Sequence, residues 1–263
     1  MIKGIILFDM DLNIVPAWER WFYEYHAPEV ARRYGPWIAR HESFLPLQAP
    51  EERDKQFGYC NWRLAYAYWR ELPEAGPKGE LSFELPPANP PGRAARAPLV
   101  IECFIPPQAT EDFMGYGTTP SEKYILRWYQ VFRYPEGVSQ QEGDDWYVNT
   151  FALEAMKQPG LFRFFSSKAV QVKSGLPGTW PPGTIYDHLG KETPSPWARV
   201  TEMWYENFFD WRDANILHPP KYTKPSWAKY DKFPFLEPRR DFFSTFLLEK
   251  PTDDYLRDAR FYR

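Results

Sequence analysis

His26 is the residue whose type and surroundings most readily support acid–base chemistry. It lies in the stretch WFYEYHAPEVARRYG, residues 21–35. A neutral imidazole in an apolar pocket can take a proton from a carbon acid and return it elsewhere. The stretch WYVNTFALEAMKQPG, residues 146–160, repeats this segment with Trp, Ala, Glu and Gly at matching positions, but Phe151 replaces the histidine. Because Phe151 shows that packing does not require a histidine here, we expect His26 to be functional.

Three carboxylates in apolar strands are candidates to assist. Asp9 shares a strand face with Ile5 and Leu7 if side chains alternate, so it could orient His26 or act as a base itself. Glu102 in LVIECFI and Glu202 in RVTEMWY lie in the middle of apolar runs, where a carboxylate is unusual unless it is paired or functional.

The two glutamates appear in the sequence at equivalent places of a repeated pattern. Arg40 and Arg199 are the expected ion-pair partners. We assign Glu102, with Asp9, to the catalytic group and Glu202 to substrate binding.

Aromatic and imidazole side chains could hold a flat, apolar ligand by stacking or hydrogen bonding. The expected substrate-binding residues besides Glu202 are Tyr25, Trp37, His41, Tyr129 and Trp204. The histidines show no tight ligand spacing such as His-x-His, so no metal is expected. The sequence has no Gly-rich phosphate loop, Gly-x-Ser-x-Gly or Cys-x-x-Cys motif, and no cofactor is expected.

Composition narrows the class of protein. Aromatic residues make up 19% of the 263 positions and the net charge is −3, so neither a nucleic acid nor a membrane surface is an expected partner. Only two cysteines are present, which favours a reducing compartment, and no apolar run reaches membrane-spanning length. We expect a cytoplasmic protein, able to form a homodimer through exposed aromatic surface.

The first half of the chain begins with a strand over 4–10 and continues with an aromatic helix. Four residues of this helix fall at i, i+3, i+4 and i+7 and predict one buried face: Trp18, Trp21, Phe22 and Tyr25. A second strand contains His41, and 98–106 predicts another strand. Residues 46–97 are interpreted as an insertion, and a short helix is expected to begin at Thr110.

The second half repeats this order. The sequence predicts strands over 123–135, 160–173 and 198–206, a helix over 142–158, and a loop insertion over 174–197. A further helix is expected from Asn207 and a strand over 242–250. Two such halves predict an α+β protein of two fused ferredoxin-like units, 1–122 and 123–263, the second with a C-terminal extension. Their sheets are expected to close face to face as a pseudo-dimeric α/β barrel.

The helix motif resembles the EthD-like group of the dimeric α/β-barrel superfamily, which shows a Trp-Tyr…His-x-Pro-Glu pattern after its first strand. The matching residues here are Trp21, Phe22, His26, Pro28 and Glu29. In the second copy Phe151 replaces the histidine and Leu153 the proline. The resemblance implies a pocket between sheet and helices. It also implies a choice among several chemistries, including lactone isomerases, cyclases, dehydratases, cofactor-free monooxygenases and haem proteins.

The leading functional hypothesis is a cofactor-independent lyase, isomerase or dehydratase that acts on a small aromatic molecule. His26 would be the general acid/base, assisted by Asp9 or Glu102. The alternatives are a cofactor-free monooxygenase of an aromatic or quinone-type substrate, and a haem- or ligand-binding protein without turnover. Fold alone does not decide among them.

Overall fold

The computed structural model contains two five-stranded antiparallel sheets with helices on their outer faces. It describes residues 1–48, 54–71, 99–115, 125–170, 196–248 and 250–258.

The first sheet consists mainly of strands from the N-terminal half. These are β1 (Ile2–Asp9), β2 (Ile38–Phe44), β3 (Arg63–Trp69) and β4 (Leu99–Ile105), joined at one edge by the short β10 (Asp253–Asp254). The strand order is β10-β2-β3-β1-β4. The four long strands therefore follow the order 4-1-3-2 when they are counted within this half.

The second sheet repeats the arrangement. Its strands are β5 (Glu111–Asp112), β6 (Leu126–Phe132), β7 (Arg163–Lys168), β8 (Arg199–Tyr205) and β9 (Phe242–Leu247). The order is β5-β7-β8-β6-β9, so the long strands again follow 4-1-3-2. This repetition gives β6, β7, β8 and β9 the places that β1, β2, β3 and β4 have in the first sheet.

Each sheet ends in a short strand contributed by the other half. β5 follows β4 in the chain but pairs with β7, and β10 follows β9 but pairs with β2. The registers correspond, because Asp253 lies opposite Ser43 and Glu111 lies opposite Ser166. The two halves are thus linked by a reciprocal exchange of arms.

Helices follow β1, β6 and β8, and two short ones lie between β2 and β3 and after β10 in the described parts of the chain. They are α1 (Val15–Trp21), α2 (Ala27–Tyr34), α3 (Asp54–Phe57), α4 (Gln140–Trp146), α5 (Ala152–Ala155), α6 (Phe208–Arg212) and α7 (Tyr255–Asp258). A π-helical turn joins α1 to α2 over Phe22–His26, another joins α4 to α5 over Tyr147–Phe151, and a third follows α6 over Asp213–Leu217. None of the described helices is long and apolar enough to cross a membrane.

The inner faces of the two sheets pack on each other. One apolar cluster combines Ile5 and Leu7 of β1 with Tyr129 and Val131 of β6, all of them fully buried. Side chains that alternate with these point outward, where Phe8 of β1 packs with the aromatic face of the first helix. Each sheet is therefore covered on both faces, by its partner sheet and by helices.

The α+β class is confirmed, but several details of the sequence interpretation are wrong. The supposed insertion 46–97 contains β3, which pairs with both β1 and β2. Its strand RLAYAYW is apolar on both faces and lacks the alternation that would have identified it. The segment after Thr110 forms β5 rather than a helix. The predicted boundary at 122 and residues 72–97 and 174–195 lie outside the described residues.

Candidate active site

A π-helical turn decides which residue of the first helix faces the sheet. Ordinary helical spacing from the buried Trp18 predicts Tyr25 on the inner face, yet Tyr25 is 41% exposed. The N–H of Ala27 donates to the carbonyl of Phe22, an i→i+5 bond that adds one residue to the turn. His26 therefore takes the inward position, half-buried, with its ring stacked on Trp21 at a centroid distance of 4.7 Å.

Arg63, the first residue of β3, lies fully buried beneath this helix. Its guanidinium donates to Glu19 Oε2 of the helix at 2.7 Å and to Ser43 Oγ of β2 at 2.6 Å. Asp253 of the exchanged arm lies at 3.4 Å from the same group. A buried cation thus joins the helix, the sheet and the arm, and the two carboxylates balance its charge.

Two tyrosine hydroxyls complete this polar cluster. Tyr255 Oη lies 2.8 Å from Ser43 Oγ and accepts a hydrogen bond from Arg63 at 3.2 Å. Tyr23 Oη accepts from Arg63 at 3.2 Å and donates to Asp253 at 2.9 Å.

His41 belongs to the same face of the first sheet. It lies two residues before Ser43 on β2, and its ring is 5.0 Å from that of Tyr255. Burial lowers the pKa of His41 to about 4. Burial also lowers the pKa of His26 to about 3, with further repulsion from His41 and Arg63. Both imidazoles are therefore neutral at neutral pH, and the buried Nδ1 of each has no hydrogen-bond partner in the described part of the chain.

Asp9, predicted to orient His26, lies on the other face of β1. It shares the intersheet face with Ile5 and Leu7, as alternation predicts, and is 1% exposed. Its carboxylate forms an ion pair with Arg239. The intervening sheet separates Asp9 from His26, so the two side chains cannot meet.

Glu102 faces the helix layer but lies across the sheet from the histidines. It is opposite Ile6, which is opposite Ala65, which is opposite Ser43. Three strand spacings place Glu102 roughly 14 Å from Ser43. Burial raises the pKa of Glu102 to about 7, which makes it a separate titrating group at neutral pH.

Three of the predicted substrate-binding residues, Tyr129, Glu202 and Trp204, lie in the layer between the two sheets. Glu202 and Tyr129 lie opposite each other in the intersheet layer. Arg127 binds Glu202 at 2.7 Å, so neither Arg40 nor Arg199 is its partner, and Trp204 Nε1 donates to Glu202 at 3.2 Å.

Trp37 lies apart from both groups. It packs, partly buried, against the small cluster that includes Tyr34 and Trp69 at the end of the first sheet. The structure therefore places His26 and His41 together on the outer face of the first sheet, and Tyr129, Glu202 and Trp204 together in the intersheet layer.

Glu102 and Glu202 are not equivalent, contrary to the prediction. Glu102 is on β4, the fourth strand of its half, whereas Glu202 is on β8, the third. Tyr66 of β3 has the place that corresponds to Glu202. The error follows from assigning β3 to an insertion, which shifted the strand count of the first half.

The second half contains a counterpart of the Arg63 cluster. Arg199, the first residue of β8, is fully buried. It binds Asp144 of the helix at 2.5 Å, Glu111 of the exchanged arm at 2.7 Å and Ser166 of β7 at 3.3 Å. The ion network is thus present twice.

The residues around the two networks differ. The positions of His26, His41 and Tyr255 in the first half correspond to Phe151, Phe164 and Phe113 in the second. Phe164 contacts both of the other phenylalanines, with ring centroids 4.6 Å apart for Phe113 and Phe164 and 6.2 Å for Phe151 and Phe164. Three apolar rings therefore occupy, in the second half, the positions at which the first half has two imidazoles and a phenol.

Sequence reasoning missed most members of the Arg63 cluster. These are Glu19, Ser43, Arg63, Asp253 and Tyr255. One signal was available, because RLAYAYW and RVTEMWY both begin with arginine and both form the third strand of their half. Among the described residues, no group of three or more His, Cys, Asp or Glu side chains could hold a metal ion.

Comparison with known proteins finds one family model. Residues 1–82 match the chalcone isomerase N-terminal domain, a segment that includes His26, His41 and Arg63. The match covers less than a third of the 263 residues. No curated protein matches the sequence.

A solved structure of a monooxygenase candidate from Lactobacillus acidophilus NCFM is similar to this chain at low level. The two share 7% identity with a TM-score of 0.33, over 96% of this chain and 94% of the other. At this TM-score the likeness decides neither fold nor function.

Proposed function

We propose that this protein is a cofactor-independent isomerase that closes a ring on a chalcone-type aromatic enone, with His26 as its general acid/base. The match of residues 1–82 to the chalcone isomerase N-terminal domain carries the proposal, because that segment contains His26, His41 and Arg63. The second half, where phenylalanines replace these groups, would be scaffold.

The reaction needs one proton to be moved and no redox step. A hydroxychalcone carries a phenol near an α,β-unsaturated ketone. His26 Nδ1 would accept the phenol proton as the O–H bond breaks, and the phenolate oxygen would form a C–O bond to the β carbon. The electron pair of the double bond becomes an enolate, and the imidazolium returns the proton to the α carbon. The product is an isomer of the substrate.

The low pKa of His26 affects both proton transfers in this cycle. The imidazole is neutral at neutral pH, so its lone pair is available, but by itself it is a weak base. Burial disfavours a lone imidazolium, but a phenolate formed beside it would stabilise that charge. The same burial makes the imidazolium a strong acid, which favours the return of the proton to carbon.

Apolar aromatic side chains surround the imidazole and would contact the substrate rings. Trp21 stacks on His26, and Phe22 lies 5.2 Å from it. The predicted binding residues Tyr129, Glu202 and Trp204 lie in the intersheet layer, so we assign them to holding the two sheets together.

We further propose that the two halves are fused ferredoxin-like units closed into a pseudo-dimeric α/β barrel. The repeated strand order, the packed inner faces and the reciprocal arms support this. A cytoplasmic location and a homodimer stay predictions.

The test is conversion of 2′-hydroxychalcone by the purified protein. We expect loss of the long-wavelength enone absorbance, a flavanone product, and one deuterium at the carbon next to the ketone when the reaction runs in D₂O. His218→Phe is the matched control, since His218 is exposed in the second half. Oxygen consumption with an oxidised product would overturn the proposal in favour of a monooxygenase, and a Soret band in the purified protein would favour haem binding.

A further inference from the structure

The short C-terminal arm, β10 with α7, is the one element of the described His26–His41 cluster that the second half of the chain supplies. β10 pairs with β2 at the edge of the first sheet, and α7 begins directly after it at Tyr255. This segment lies outside residues 1–82, so the family match does not assign it any role.

Tyr255 reaches the cluster with both its ring and its hydroxyl. The ring lies 5.0 Å from His41 and 5.7 Å from Phe22, so it covers the imidazole and touches the helix. The hydroxyl contacts Ser43 at 2.8 Å and Arg63 at 3.2 Å. The ring is therefore fixed at its far end by the same buried cation that joins helix and sheet.

The equivalent contact between arm and sheet in the second half is made by two apolar rings. There Phe113 of the other arm packs on Phe164 at 4.6 Å, and Glu111 binds Arg199 as Asp253 binds Arg63. Both members of the ring contact are apolar in that half, whereas in the first half both are polar. Structural closure alone requires neither a phenol nor an imidazole.

We propose that Tyr255 is a positioning residue for His41, so that the arm of the second half completes the active site of the first. The ring shields the imidazole from water, and the hydroxyl fixes the ring against Ser43 and Arg63. The inference rests on the proposed function for its kinetic consequence, but its structural consequence can be measured without substrate.

Several titratable groups lie near His41. His26 from the helix and Arg63 from β3 lie on the same face of the sheet, while Asp254 and Tyr255 belong to the arm. Burial, the larger cause, lowers the pKa of His41, and Asp254 raises it. Removing the ring of Tyr255 would admit water to the imidazole and raise its pKa.

The experiment is an NMR pH titration of the imidazole C–H signals in the full chain, which contains four histidines. In Tyr255→Ala we expect the pKa of His41 to rise by at least one unit toward its ordinary value, roughly 6.5. Phe113→Ala, the same truncation in the other arm, should leave it unchanged. An unchanged pKa in Tyr255→Ala, or an equal rise in both variants, would overturn the proposal.

Tyr255→Phe keeps the ring and guards against loss of the fold. His41 should retain its low pKa in this variant, because the ring still shields the imidazole from water. The value of kcat for 2′-hydroxychalcone should fall roughly tenfold at unchanged KM, because the ring loses the hydrogen bonds to Ser43 and Arg63 that fix its orientation. A kcat equal to that of the parent chain would contradict the role of the hydroxyl. If the parent chain does not convert the chalcone, the proposed function fails, and the titration still decides the role of the arm.

Discussion

Arg63 and Arg199 occupy the same position in the two halves, at the first residue of the third strand and fully buried under a helix. Each binds a carboxylate of its own helix, a serine of the neighbouring strand and a carboxylate of the arm that comes from the other half. The ion network therefore belongs to the architecture that both halves share.

The side chains next to the two ion networks differ, although the networks themselves correspond. His26 and His41 lie near Arg63, while Phe151 and Phe164 take their places near Arg199. Since the second half forms the same architecture with phenylalanines, the fold does not require the imidazoles. Their neutral, desolvated state is what the proposed proton transfer requires.

Removal of either arginine should have the largest effect on stability. Arg63→Met and Arg199→Met each leave two carboxylates without their buried partner. We expect the free energy of unfolding to fall by about 3–5 kcal/mol in each variant. Urea denaturation measures this. A loss under about 1 kcal/mol in either would contradict the idea of a shared buried network.

Replacing His26 by phenylalanine, the residue found at the equivalent position of the second half, should abolish isomerase activity without unfolding the protein. His26→Phe should lower kcat/KM for 2′-hydroxychalcone by about 100-fold or more, the usual contribution of a general acid/base. The melting temperature should change little, because Phe151 shows that the site accepts the ring. Full activity in this variant would remove His26 from the mechanism.

The reverse exchange should cost stability and gain nothing. Phe151→His places an imidazole among aromatic rings, where its nitrogens have no hydrogen-bond partner among the described residues. We expect a loss of about 1–3 kcal/mol in the free energy of unfolding and no change in turnover. Chemical denaturation of this variant beside His26→Phe would show whether the two positions differ as the structure indicates.

His41 should give the protein a measurable sensitivity to acid. Its pKa of about 4 in the folded chain lies below its unfolded value, so the unfolded state binds more protons and stability is lost as pH falls from about 6.5 toward 4. His41→Phe, which copies Phe164 of the second half, removes this contribution. When the pH falls from 7 to 5, the free energy of unfolding of the variant should decrease by about 2 kcal/mol less than that of the parent chain. Parallel stability curves would show that His41 is not desolvated.

Some elements of the fold could be predicted from the sequence and others could not. The strands β6, β7 and β8 and the helix after β6 were predicted as apolar runs and a helical segment that repeat the order of the first half. β3 was missed because burial on both faces erases alternation. The short arms β5 and β10 are two residues each, too little for any periodic signal.

The positions of the candidate residues could be predicted from the sequence only in part, and the reasons differ. His26 was singled out by its asymmetry between the repeats, and its role in a site stays a prediction. Tyr25 was placed on the wrong side because a π-helical turn shifts the helix by one residue. Asp9 was correctly placed on the face of Ile5, but that face is opposite to the helix.

By itself, the sequence determined that one helical motif occurs twice in the chain and that a histidine, His26, is present only in the first copy, where the second has Phe151. Those facts are local, since they depend on residue types and spacing along a short stretch. Only the tertiary structure decided that His26 and His41 share a face with Arg63 and that Tyr255 packs against His41. Tyr255 and Ser43 are 212 positions apart, and no periodicity reports a contact made by strands exchanged between halves.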